Sequence, residues 1–65
     1  MWRLRKRQET IDASVGRNDK GRVVLEFTMN GRRLTARTYT TRRQAIAAAT
    51  EKRRELERAG WATHW

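Results

Sequence analysis

Thirteen of the sixteen cationic side chains in this sequence are arginine. Arginine's planar fork grips phosphate oxygens, or the O6/N7 edge of guanine, through two parallel hydrogen bonds. Spacing says more than number. Arg33, Thr35, Arg37 and Tyr39 recur at every second position, the period that brings side chains of an extended strand to one face. Val24, Glu26 and Thr28 share that face if the two segments pair as a hairpin. Arg there addresses guanine and Thr meets phosphate or a thymine methyl. Tyr39 either stacks on a base or sugar or covers the end of the hairpin. The chemistry on offer is recognition of a polyanion.

The other cations read as backbone contacts. Arg3, Arg5, Lys6 and Arg7 lie in residues 1–8, a basic arm that tracks phosphates or enters a minor groove, or else a solubilising tail. Arg17, Lys20 and Arg22 flank a turn, and Arg42 and Arg43 open a helix whose free N–H groups would seat a phosphate. Residues 1–43 hold twelve Lys/Arg against four acids, a net of +8, whereas residues 44–65 hold four against three. A merely Arg-rich, solvated surface would spread its charge more evenly. The one-sided distribution favours an electrostatic footprint for nucleic acid.

Catalytic chemistry has no foothold. His64 is the single histidine, Asp12, Asp19 and Glu26 stand apart, and there is no cysteine. We therefore expect no enzyme, no metal and no cofactor. No apolar run reaches the roughly 18–20 residues of a membrane span, and the basic first residues lack the apolar stretch of a signal peptide. A cytoplasmic protein without membrane contact is expected.

The positioning elements follow from pattern. Val23, Leu25, Phe27 and Met29 alternate with polar neighbours, Asn30-Gly31 suits both positive-φ positions of a type I′ turn, and residues 32–39 alternate again. A two-residue loop pairs Met29 with Arg32, Phe27 with Leu34, Leu25 with Ala36 and Val23 with Thr38. Residues 9–15 form a first strand through Ile11, Ala13 and Val15, and residues 16–21 a glycine-bounded turn. Trp2 and Leu4 have the opposite parity, so one strand through both stretches needs a bulge near residues 7–9. Thr41 with Gln44 makes a capping box. Ala45, Ile46, Ala49, the Arg53 stem, Leu56 and Gly60 define the helix's buried stripe. Glu51 with Arg54 and Glu55 with Arg58 are spaced to pair on its outer faces. Leu56, Gly60 and Trp61 have the spacing of a Schellman ending.

The expected fold is one α+β domain: a three-stranded antiparallel meander (residues 9–39) with a C-terminal helix (residues 41–59) packed on its apolar face. Residues 1–8 precede it as the arm and residues 60–65 follow as a tail. Leu25, Phe27, Leu34, Ile46 and Leu56 should centre the core, with Trp2, Trp61 and Trp65 at its rim.

The run RVVLEFTMNGRRLTARTYTTRRQA, continuing to residue 60, resembles the βββα arm-type DNA-binding domain of tyrosine recombinases and the related plant AP2 domain. The shared features are a strand, an NG turn, a basic strand ending RTYTT and a helix opening RRQA. The resemblance implies that the sheet enters the major groove of duplex DNA and that Arg33, Thr35 and Arg37 touch it. This sequence holds no recombinase catalytic domain, so a binding or accessory role is what carries over. The last two strands and helix also resemble the double-stranded RNA-binding domain, although no N-terminal helix is present. Duplex DNA is the expected partner of a monomer or weak homodimer. RNA binding and a protein-interaction role are the alternatives.

Overall fold

The computed structural model describes residues 1–63; His64 and Trp65 lie outside the described residues, and with them the expectation that Trp65 closes the core's rim. The elements are β1 (Trp2–Lys6), β2 (Glu9–Arg17), β3 (Val23–Met29), β4 (Arg32–Tyr39), α1 (Arg42–Arg58) and β5 (Ala62–Thr63). The fold is α+β, but among the described residues its antiparallel sheet has five strands in the order β4-β3-β2-β1-β5, not three. No described helix is long and apolar enough to cross a membrane.

The expected basic arm is mostly a strand. Trp2 faces Ala13, Leu4 faces Ile11 and Lys6 faces Glu9. Pairing across a two-residue turn matches even positions to odd ones. The opposite parity of Trp2 and Leu4 is therefore the mark of a hairpin, and no bulge in a single strand is needed. Trp2 is 8% exposed and Leu4 fully buried, so β1 supplies core. Arg7 makes the turn at φ 58, a conformation that glycine adopts far more readily.

The Asn30-Gly31 turn forms as expected, with φ 53 and 84. Beyond it the expected register fails. Met29 faces Arg32 and Thr28 faces Arg33, but an irregularity next to Phe27/Thr28 leaves Leu34 without an opposite number. From there Phe27 faces Thr35, Leu25 faces Arg37 and Val23 faces Tyr39. A one-residue shift sends each later side chain to the other face of the sheet. The bulge places Tyr39 rather than Thr38 beside Val23, and the larger aromatic area then packs against the core.

Both helix ends form as the spacing predicts. Thr41 Oγ1 accepts from Gln44 N at 3.2 Å, and Gln44 Oε1 accepts from Thr41 N at 3.2 Å. Trp61 N donates to Leu56 O and Gly60 N to Glu57 O, with Gly60 at φ 103. Lys6 adds a further cap, its Nζ donating to Ala59 O at 2.8 Å. The Schellman turn then delivers β5 to the free edge of β1, Thr63 opposite Leu4.

The core centre differs from the expected one. Leu4, Leu25, Ala45 and Ala49 are the most buried apolar side chains, with Trp2, Ile11, Ala13 and Val23 around them. Leu34 is 52% and Ile46 38% exposed. The bulge displaces Leu34, and Ile46 stands about 100° round the helix from Ala45, at the margin of the stripe. Phe27 and Leu56 pack against the core but stay half-buried. Paired alanines let α1 lie close to the sheet.

Candidate nucleic-acid interface

Helix α1 covers one face of the sheet, and among the described residues nothing covers the other. Register and alternation put Arg3 and Arg5 of β1 on that outer face, with Asp12 and Ser14 of β2. Val24, Glu26 and Thr28 of β3 join them, as do Arg33, Ala36 and Thr38 of β4. The side chains towards the Val23 end are short, so the surface there is shallow. At its other end one line crosses four strands: Arg3 beside Asp12, Asp12 beside Thr28, Thr28 beside Arg33.

Two ion pairs organise this face. Arg3 Nε donates to Asp12 Oδ1 at 2.5 Å, and Arg33 Nε lies 2.7 Å from Glu26 Oε2. The carboxylate side chains are 31% and 28% exposed and the arginines 52% and 70%. Each acid thus sits low and holds a guanidinium that stands proud of the sheet. Pairs this exposed add little to stability; their effect is to orient the forks.

The sequence-derived site residues divide by face. Arg33 is on the outer face as expected. Thr35, Arg37 and Tyr39 are not, because the bulge turns them to the helix side. There they line an open groove of about 730 Å³ between β4 and α1 with Leu34, Glu51 and Leu56. Arg3 and Arg5 belong to the outer face through β1. Lys6 points to the helix side and is committed to Ala59 O.

The remaining cations gather at the two ends of the sheet. Arg17, Val23 and Tyr39 are flush at one end, so the β2–β3 loop with Lys20 and Arg22 adjoins the start of α1 with Arg42 and Arg43. Asn18 shapes that loop, its Oδ1 accepting from Lys20 N and Arg22 N at 3.0 Å. Arg17 donates to Gly21 O. Arg7 stands at the opposite end in the β1–β2 turn, and Arg32 begins β4 there, next to the Asn30-Gly31 turn. The seven-residue β3 between the ends spans about 20 Å.

Pairing separates these cations from those of the helix. Lys52, Arg53, Arg54 and Arg58 all engage Glu51, Glu55 or Glu57. The Glu51–Arg54 pair forms as expected, whereas Glu55 pairs with Lys52 rather than Arg58. Among the described residues, no Lys or Arg at the sheet ends has a carboxylate partner. Sequence reasoning missed Arg32, whose place beside the Asn-Gly turn was a usable signal, and the role of Asp12 and Glu26 as partners of arginine. Only the register reveals the latter.

Comparison with known proteins returns no matching family model, no matching curated protein and no matching solved structure.

Proposed function

We propose that this chain is a small nucleic-acid-binding domain that takes duplex DNA against the outer face of its sheet. One observation carries the reading. Among the described residues, an uncovered sheet face is flanked at both ends by cations without carboxylate partners, while every helix cation beyond the first turn is paired with a Glu. Phosphates are attracted to the first set and gain little from the second. A sheet fits a major groove about 12 Å wide, and a strand length of about 20 Å carries the end cations out to the flanking backbones. Lys20, Arg22, Arg42 and Arg43 would meet one backbone and Arg7 the other; Arg17 and Arg32 have the register of the helix side but stand at strand ends, where they would reach round the rim of the sheet. Arg3, Arg33 and Thr28 are left facing the bases.

Titration of the full chain with a random duplex at several salt concentrations tests this. With five or six phosphates neutralised, log affinity falls against log salt with a slope of about −5. Absence of binding at low salt removes the proposal. Duplex RNA bound as tightly as DNA would move the contact from the sheet to the helix N-terminus, because the deep major groove of A-form RNA does not admit a sheet.

A further inference from the structure

We infer that the outer face reads two guanines in one short stretch of duplex, through Arg3 and Arg33, with Asp12 and Glu26 as positioning residues. The inference rests on the duplex-binding reading above and specifies what that surface recognises.

Charge is the first argument. The ion-paired row contributes two cations and two anions, so it adds nothing to the general attraction for phosphate. Acids in the middle of a polyanion-binding face are a cost unless they do something else. Here each holds one arginine. Asp12 takes the Nε of Arg3, and Glu26 lies against the Nε of Arg33. In both cases the side of the guanidinium nearest the chain is occupied, and no described group bonds the outer Nη pair. A guanine presents N7 and O6 as two adjacent acceptors, which suit that pair of donors. Phosphate contact does not need such orientation; base reading does.

Spacing is the second argument. Arg3 and Arg33 stand three strands apart on the same cross-strand line, so their Cα atoms are about 14 Å apart. Both lean inwards, Arg3 over β2 and Arg33 over β3. Asp12 and Glu26 are diagonal neighbours, since Glu26 faces Ser14, and such pairs lie about 7–8 Å apart. The two forks are therefore about 7 to 14 Å apart, or roughly two to four base steps at 3.4 Å each. Thr28 lies between them on the line and would meet a thymine methyl or a phosphate. The shallow surface of Ser14, Ala36 and Thr38 adds no further fork, and Arg5, the third arginine of this face, lies off the line and donates its Nε to Arg7 O beside the β1–β2 turn.

Enrichment from a randomised duplex pool by the full chain is the test, followed by titration of the enriched and random duplexes. The expected sites hold two guanines two to four steps apart. Arg33→Ala should erase the preference at one guanine, by about five- to 150-fold, and leave the other. Arg3→Ala should do the converse. Glu26→Met removes both the acceptor and the negative charge. It should lower the guanine preference while raising affinity for random duplex, a pairing of effects that simple unfolding does not give. Glu26→Gln restores an acceptor and should recover part of the preference with the raised random affinity retained. Enrichment without paired guanines overturns the inference, and so does an unchanged preference in Glu26→Met; in both cases duplex binding itself still stands. If the unaltered chain binds no duplex at low salt, the underlying reading fails first.

Discussion

Arg33 and Arg37 look equivalent in the sequence, since they sit four residues apart in one alternating segment. In the fold they part company. Arg33 faces Thr28 before the bulge and stays with the outer face, whereas Arg37 faces Leu25 after it and lines the groove beside α1. The sign of the shift could not be read from composition. A ladder without a bulge and a ladder with one use the same residues and differ in whether Ala36 and Thr38 or Arg37 and Tyr39 turn to the helix side. Charge at these positions was legible; orientation was not. The consequence is measurable. Arg37→Ala should bind duplex with the affinity and base preference of the unaltered chain, and its stability should change by less than about 0.5 kcal/mol because the side chain is exposed. Arg33→Ala in the same titration should lose preference. Equal losses from both would mean that the contact surface wraps the β4 edge rather than lying flat on the outer face.

Elements were legible where local chemistry announces them. The Asn-Gly turn, the Thr41/Gln44 box and the Leu56/Gly60/Trp61 ending each depend on a few adjacent residues, and each forms. β1 gave no such notice. Its turn is Arg7-Gln8, neither residue favours a tight hairpin, and the parity change that signals one also fits a bulge. The four basic residues around it pull the reading towards an arm. Burial decides between the two. Leu4 is fully enclosed and Leu34 is half open, the reverse of what a core built around the β3–β4 hairpin requires. Leu4→Ala should therefore cost about 2–5 kcal/mol, enough to unfold much of so small a domain. Leu34→Ala should cost less than about 1 kcal/mol. Urea midpoints for the two variants compare them directly. A damaged Leu34 variant beside an undamaged Leu4 variant would return the core to the hairpin alone and β1 to the solvent.

At the scale of the molecule, the sequence showed that charge is unequally shared between its first two-thirds and its last third. The fold adds which charges already have partners. Four helix cations face three glutamates along α1, while Arg42 and Arg43, on the same helix, stand in its first turn next to the loop of Lys20 and Arg22. That first turn holds no acidic side chain, so the N-terminal end of the helix dipole and two guanidiniums act together on any nearby anion. The difference within one helix gives a test of where the polyanion lies. Removing one cation from a bound phosphate should flatten the salt dependence by about 0.9 of a unit, whatever the DNA sequence. Arg42→Ala should do this and weaken all duplexes alike, because a phosphate contact carries no base information. Arg58→Ala removes a cation 4.0 Å from Glu51 on the helix, which packs on the opposite face of the sheet, so the slope should stay unchanged. The same two variants, titrated with one duplex over a range of salt, separate a bound face from a merely basic protein. If Arg58→Ala flattens the slope as much as Arg42→Ala does, DNA is responding to net charge alone and no single surface is the site.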